Sequence, residues 1–262
     1  MCLARFDITT NGVLLREEMV DYFSEHGIRA LISLDGLEQS HDRFRIDKRG
    51  RGTFQKALRG LELLKAKQSW IGVKMTVMPL NVDALFEDVL GLYGLGVNQF
   101  IIGHATGVTW PPQIMAAYGE QLGELYRWYK QNSCTNLRID CFDEVDDVGF
   151  FGCQAGRQSI AVTVNGQVSP CSKIMGFSST QLLGKLGDVW HGLTHLRNRH
   201  EFNHCSQLES ACRDEGIAQE FQGGCFAVNY GETGDLFKPS LQEHAFTLLK
   251  RSACAGCASC SH

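Results

Sequence analysis

The sequence predicts an α/β fold followed by a small cysteine-rich domain. In the first part, short apolar runs alternate with longer amphipathic ones, the pattern of consecutive β-strand and α-helix units. Eight of the eleven cysteines fall between Cys153 and Cys260. An Asn165-Gly166 pair in an alternating segment also predicts a β-hairpin in the second part. We therefore expect domains over residues 1–150 and 151–262.

The first domain is predicted to contain four strand–helix pairs. The strand runs are "LARFDITT", "ALISLDG", "IGVKMTVMP" and "VNQFIIG". The helical runs are "REEMVDYFSEHG", "TFQKALRGLELLKAK", "VDALFEDVLGLYGLG" and "PPQIMAAYGEQLGELYRWYKQN". Nearly all-apolar strands indicate a parallel sheet covered by helices. The alternation predicts a barrel-like (TIM-like) or doubly wound layer, with any active site at the carboxyl ends of the strands.

Helix ends in the first domain carry suitable residues. Gly27 and Gly94 follow apolar stretches, and Pro111-Pro112 stand where the last helix should begin. In the second domain, "SIAVTVNGQVSPC" predicts a hairpin whose two turn residues both take positive φ. Beyond Lys173 the chain has little periodicity, so we expect metal clusters to staple this segment.

Composition narrows the class of protein. The net charge is -4 and the pI is about 6.1, which gives no basic field for nucleic acid or anionic lipid. No apolar run is long enough for a membrane helix, and the start "MCLARFDITTNG" lacks the zones of a signal peptide. We expect a cytoplasmic protein with small-molecule, peptide or protein partners.

Clustered cysteines in such a chain indicate metal binding rather than disulfides. The expected ligands are Cys153, Cys171, Cys205, Cys212, Cys225, Cys254, Cys257 and Cys260. Eight thiolates fit two four-iron clusters or two Cys₄ zinc sites. Only the tail has the close Cys-x2-Cys spacing typical of zinc, so iron is favoured. Cys2, Cys134 and Cys141 are expected to be ordinary thiols.

The second domain resembles a known family. "CQAGRQSIAVTVNGQVSPC" resembles the opening of the SPASM domain, the auxiliary-cluster extension of radical S-adenosylmethionine (SAM) enzymes. "HCSQLESACRDEGIAQEFQGGC" resembles the next block, but Leu208 and Phe221 stand where the family has cysteines. The resemblance implies two auxiliary 4Fe-4S clusters, with tail cysteines replacing missing ligands.

The family's ligand order suggests how these thiols divide. One cluster would take Cys153, Cys171, Cys225 and one tail cysteine. The other would take Cys205, Cys212 and two tail cysteines.

The first domain is similar to the radical SAM partial barrel. "ITTNGVLL", "ISLDG", "HDRFR" and "GRGTF" look like its middle strands and the loops that follow them. In relatives, the serine and the arginine of these motifs contact SAM, which implies Ser33 and Arg45 here. A guanidinium suits the methionine carboxylate because it offers a planar two-donor fork. Asp35 and His41 also have simpler explanations: Asp35 could shape the turn after the strand, and His41-Asp42 could cap the next segment. As strand-end residues, both are also candidates for lining the site.

Two elements of the family are absent from these 262 residues. The sequence contains neither the Cys-x3-Cys-x2-Cys motif that holds the SAM-binding cluster nor the Gly-Gly-Glu segment. We therefore expect a carboxyl-terminal fragment, without the first two βα units, that does not cleave SAM alone. The alternative is a short protein that acts as a non-catalytic, cluster-bearing binding or accessory module.

The resemblance implies a peptide or protein maturase. In the complete enzyme, a 5′-deoxyadenosyl radical would abstract hydrogen from a side chain, and an electron donor such as flavodoxin or ferredoxin would be needed. Ser172 stands where sulfatase-maturing relatives have an aspartate proposed as the base, which argues against that substrate. The sequence assigns no catalytic acid or base.

Overall fold

The computed structural model describes residues 6–132, 136–143, 152–176, 184–218 and 221–255. Contacts divide the chain into two units, residues 146–248 and the remainder. The predicted second domain, residues 151–262, differs from this division at its end, because the described residues from Leu249 onward group with the first unit. One reason is packing: a Cβ at Gly119 would lie 2.8 Å from Leu249 Cδ2.

A five-stranded parallel sheet forms the centre of the first unit. Its strands are β1 (Asp7–Thr10), β2 (Arg29–Ser33), β3 (Gly72–Val77), β4 (Gln99–His104) and β5 (Arg138–Ile139). They are adjacent in chain order and parallel throughout. A doubly wound sheet reverses its strand order at a switch point. This sheet shows no such reversal among the described strands.

In the described part of the chain, five α-helices lie between these strands, and a sixth follows β5. They are α1 (Glu17–Glu25), α2 (Glu38–Asp42), α3 (Phe54–Lys65), α4 (Leu85–Gly94), α5 (Pro112–Gln131) and α6 (Asp140–Asp143). The predicted ends agree well with these bounds: α4 ends at Gly94 and α5 begins at Pro112. Crossovers between parallel neighbours are right-handed in nearly all proteins, so we expect the connecting helices to lie on one face of the sheet.

The two faces of the sheet differ in character. Val73, Met75 and Val77 of β3 are buried, whereas Lys74 between them is exposed. Ser33 pairs in register with Lys74. Since paired residues of neighbouring strands project to the same side, Ser33 and Lys74 share the more polar face.

The second unit contains a three-stranded antiparallel sheet. Its strands are β6 (Ala161–Val162), β7 (Gln167–Ser169) and β8 (Gly187–Asp188), in that order. The hairpin forms between β6 and β7, but its turn differs from the expected one. Gly166 has φ of 74°, and Asn165 is not in the left-handed region. Gly166 N–H donates to Thr163 O, and Thr163 N–H to Gln167 O, so a longer turn closed by one left-handed glycine replaces the two-residue turn.

Four helices follow in the chain: α7 (Leu196–His204), α8 (Ser206–Asp214), α9 (Phe226–Thr233) and α10 (Leu241–Ala255). The low sequence periodicity beyond Lys173 therefore does not prevent helices from forming there. Aromatic side chains supply the apolar contacts: the ring of Phe202 lies 5.2 Å from Phe226 and 6.1 Å from Phe237. No helix in the described part of the chain is long and apolar enough to cross a membrane.

Candidate functional site: an arginine–carboxylate network and a group of thiols

The carboxyl end of β2 leads into a buried ion pair in the first unit. Asp35 is 6% exposed. Its Oδ2 accepts a hydrogen bond from Arg45 Nε at 2.5 Å. Its Oδ1 accepts from Arg45 Nη2 and from Thr76 N–H of β3, both at 2.9 Å. The carboxylate therefore ties the strand ends to the loop that carries Arg45.

His41 connects the start of this loop to the residue before α3. Its Nδ1 accepts a hydrogen bond from Asp35 N–H at 3.3 Å, and its Nε2 lies 3.1 Å from Thr53 Oγ1. Thr53 Oγ1 donates its own proton to Arg45 O. Nε2 must then carry the ring proton, which assigns the neutral Nε2–H tautomer. Burial lowers the pKa of His41, outweighing the raising effect of Asp35.

Two glycines make room for carboxylates around this network. A Cβ at Gly36, whose φ is 136°, would lie 2.3 Å from Asp88 Oδ2. Asp88 Oδ1 accepts a hydrogen bond from Leu37 N–H at 2.8 Å, and burial raises the pKa of Asp88. A Cβ at Gly52 would clash with the carboxylate of Asp42. These contacts explain glycine at both positions.

The structure gives two of the predicted residues in the first unit a hydrogen-bonding role. Asp42 Oδ1 accepts from Phe54 N–H, the first residue of α3, at 2.8 Å, so the predicted capping falls on Asp42. Asp35 does more than shape a turn, because it holds Arg45. The prediction that Ser33 and Arg45 contact SAM stays a prediction. Asp88 was missed by sequence reasoning, and an aspartate within the apolar run "LFEDVL" is the signal that could have identified it.

The second unit contains the described cysteines of the predicted clusters, apart from Cys254. Cys205 and Cys212 are buried in its aromatic core, and Cys153, Cys171 and Cys225 pack against that core. Cys153 interacts electrostatically with Cys171, Cys225 and Cys205. The fold thus places three other predicted ligands near Cys153.

Backbone N–H groups point at two of the sulfurs. Ala155 N–H donates to Cys153 Sγ and Ile174 N–H to Cys171 Sγ, both at 3.4 Å. A hydrogen bond from Phe226 N–H to Cys153 also lowers the pKa of this thiol, against the larger raising effect of burial. Hydrogen bonds of this kind stabilise thiolates and tune iron–sulfur clusters.

The buried thiols are protonated at neutral pH. Burial raises the pKa of Cys205 and of Cys212 to about 11, and it raises the pKa of Cys153. Cys205 also has φ of 48°, the single positive value among the described non-glycine residues. Its thiol donates to Phe202 O at 3.0 Å. Such a conformation costs about 1–3 kcal/mol and is common at functional sites.

These residues fit an iron–sulfur cluster in their donor chemistry. Besides the thiols and N–H groups, Gln154 Oε1 is buried with no hydrogen-bond partner among the described residues. A buried amide atom without a partner, next to Cys153 in the sequence, is compatible with a hydrogen bond to a cluster, since amide N and O positions are interchangeable. However, no three Cys, His, Asp or Glu side chains in the described ranges are placed to hold a single metal ion.

Some of the remaining cysteines lie in the first unit, and others lie outside the described residues. Cys254 lies in α10 among the residues that group with the first unit, where burial raises its pKa. Cys257 and Cys260, both predicted ligands, lie outside the described residues, as do Cys2 and Cys134. Cys141 is a buried cysteine in α6. The assignment of ligands to two clusters stays a prediction.

Comparison with known proteins agrees with these motifs. Residues 3–92 match the Radical SAM superfamily. The serine-type anaerobic sulfatase-maturating enzyme of Klebsiella aerogenes is 35% identical over 88 residues, 32% of this chain and 22% of that enzyme. The cysteine-type enzyme of Clostridium novyi is 34% identical over 59 residues, 22% of this chain and 16% of the relative. The match thus spans less than a quarter of each of these two relatives.

Solved structures support the α/β fold with a parallel sheet. The structure of native anSMEcpe with bound AdoMet has a TM-score of 0.71 at 18% identity. The alignment covers 95% of this chain and 74% of the anSMEcpe chain. Streptococcus suis SuiB bound to S-adenosylmethionine has a TM-score of 0.59 at 15% identity, covering 88% and 57% respectively. At less than 25% identity, these likenesses concern the fold.

Proposed function

We propose that this chain is the carboxyl-terminal portion of a radical SAM maturase that modifies a peptide or protein side chain. It would supply part of a SAM-binding barrel and two auxiliary 4Fe-4S clusters in a SPASM-type domain. The observation that carries the proposal is the gathering of thiols around Cys153 in a chain whose residues 3–92 match the Radical SAM superfamily.

The first unit supports the SAM-binding part of this proposal. Its strand order is sequential, as in a barrel wall, and Ser33 lies at the carboxyl end of β2, where barrel enzymes place their sites. In the complete enzyme, one electron from an external donor such as a flavodoxin or ferredoxin would cleave the sulfur–C5′ bond of SAM, giving methionine and a 5′-deoxyadenosyl radical. Ser33 and Arg45 would orient its methionine carboxylate.

The second unit supports the auxiliary clusters. Cys153, Cys171 and Cys225 would hold one cluster, and Cys205 and Cys212 would contribute to the other. Tail cysteines would complete both sets, Cys254 among them. Deprotonation of the buried thiols would accompany assembly, because only thiolates ligate iron. Cluster formation should therefore release protons.

The substrate class is proposed from the relatives. Sulfatase-maturating enzymes act on proteins, and one anSMEcpe structure contains a bound peptide. Ser172, in place of the family aspartate, makes a sulfatase an unfavoured substrate here. We propose another peptide or protein, processed in the cytoplasm.

Iron and sulfide analysis tests the proposal. After anaerobic reconstitution, the chain should hold about eight irons, four for each of two cubanes. Cys171→Ala should remove about half of them. Cys141→Ala is the matched control, a buried thiol outside the ligand set, and should keep the full iron content. A colourless protein that binds two zinc ions and no sulfide would contradict the proposal.

A further inference from the structure

We infer that Asp35 is a positioning residue for ligand binding by Arg45, so that the guanidinium presents its Nη1 end to a ligand carboxylate. The inference rests on the proposed SAM site. It adds a residue that the motif comparison leaves as a turn former, and it specifies which end of Arg45 remains available.

The Asp35–Arg45 pair leaves one end of the guanidinium available. Asp35 occupies the Nε–Nη2 edge of Arg45 with two hydrogen bonds, at 2.5 and 2.9 Å. Nη1 has no hydrogen-bond partner among the described residues, and the Arg45 side chain is 30% exposed. A guanidinium has five N–H donors, so one carboxylate on its side edge leaves its end free for another.

Asp35 is itself held in place by two further hydrogen bonds. Its Oδ1 also accepts Thr76 N–H from β3, and its own N–H donates to His41 Nδ1. The carboxylate is therefore anchored to the sheet and to the loop at the same time. Arg45 is held at its other end as well, since its carbonyl accepts from Thr53 Oγ1. Little side-chain freedom is left to lose when a ligand binds.

Lys74 adds a positive charge on the side of the sheet that carries Ser33. Asp35 offsets the charge of Arg45, but Lys74 shares the side of the sheet with Ser33 and has no ion-pair partner within the described ranges. A second carboxylate placed near Ser33 would therefore meet a net positive group. Without Lys74, the Asp35–Arg45 pair would offer a dipole rather than a cation.

The test measures selection for a carboxylate, because a merely structural role would leave that selection unchanged. Equilibrium dialysis of the full 262-residue chain would compare SAM with decarboxylated SAM, which lacks only the carboxylate. The wild-type chain should bind SAM roughly tenfold or more tightly than the analogue, the worth of a charged hydrogen bond. Asp35→Asn should lower this ratio by roughly tenfold, as should Arg45→Lys, which lacks the planar fork.

Asp47→Asn is the matched control. Asp47 also holds an arginine side-on, with its Oδ2 accepting from Arg51 Nε at 3.1 Å and Nη2 at 3.0 Å, but it does not touch Arg45. This variant should keep the wild-type ratio. If Asp35→Asn does not fold, Asp35→Glu provides the same test, since it keeps the charge and displaces the carboxylate.

The outcomes separate the inference from the proposed function. A wild-type ratio that persists in folded Asp35→Asn overturns the inference alone. A wild-type chain that binds both compounds equally overturns the SAM site at Arg45 and the inference with it, while the iron analysis still judges the clusters.

Discussion

His41 is the buried residue on which the loop after β2 depends. It is 1% exposed, and its ring bridges Asp35 N–H and Thr53 Oγ1 as a neutral Nε2–H tautomer. Protonation would place a donor at Nδ1, where it would face the Asp35 N–H donor and break their hydrogen bond. Burial and Arg45 lower its pKa, whereas Asp35 and Asp42 raise it, and the net direction is downward.

This histidine should make stability depend on pH. In the unfolded chain His41 takes up a proton near pH 6.5, but in the folded chain it does so only at lower pH, so the unfolded state binds more protons in between. The free energy of unfolding should fall by up to about 1.4 kcal/mol for each pH unit below about 6.5. Denaturant unfolding at pH 7.5, 6.5 and 5.5 measures this slope.

His41→Gln should be less stable at pH 7.5 but should show a shallower slope between pH 6.5 and 5.5. His26→Gln is the control, because His26 is exposed, and it should retain the wild-type slope. Equal slopes in wild type and His41→Gln would show that His41 does not titrate in this window.

At the scale of elements, Asn229 of α9 connects three segments of the second unit. It is fully buried. Its Nδ2 donates to Gly223 O at 2.9 Å and to Leu236 O at 3.3 Å, while its Oδ1 accepts from Ser240 N–H at 3.0 Å. One amide thus fixes the "QGGC" segment before α9 and the loop that leads into α10.

Asn229→Asp should loosen these segments. The isosteric carboxylate keeps an acceptor for Ser240 N–H but loses both donors, leaving buried carbonyls unpaired at about 1–3 kcal/mol each. Hydrogen exchange should increase over residues 221–240 while β2 to β4 are unchanged. Asn98→Asp, which alters a comparable amide that bridges Ile71 and Ser69 in the first unit, should leave residues 221–240 protected.

The strands of the first unit were predictable because each apolar run is continuous and bounded by turn residues, as in β2 and β3. The Asn-Gly hairpin was predictable for the same local reason, although its turn type depends on the Thr163–Gln167 hydrogen bonds. The helices after Lys173 were not, because their core is assembled from single aromatic residues such as Phe202, Phe226 and Phe237. Those contacts are long-range and leave no periodic signal.

The candidate site was only partly predictable. Cysteine count and spacing suggested the ligand set, and the family motifs pointed to Ser33 and Arg45. The pairing of Arg45 with Asp35 could not be read from spacing, since it depends on how the loop folds back over ten residues.

At the scale of the whole molecule, the two units have different sources of stability. The first has an apolar core beneath a parallel sheet. The second relies on a smaller aromatic core that contains buried, protonated thiols. The second unit should therefore depend more strongly on metal.

Removal of iron should loosen the second unit selectively. In hydrogen exchange, the reconstituted chain should be more protected than the iron-free chain over residues 152–176 and 221–240, because ligation adds folding free energy there. Exchange in β2, β3 and β4 serves as the internal control and should be the same in both forms. Uniform changes across both units, or none in the second, would contradict a cluster held by these thiols.

The hydrogen bonds of Asp35 also have a consequence for how this sequence can diverge. Its two oxygens serve Arg45 and Thr76, and its own amide depends on His41, so no one of these positions has an independent optimum. A replacement at position 35 changes which residues are acceptable at positions 41 and 45. Substitutions here should be inherited as sets, and tolerance measured for one residue at a time would underestimate the combinations this loop can accept.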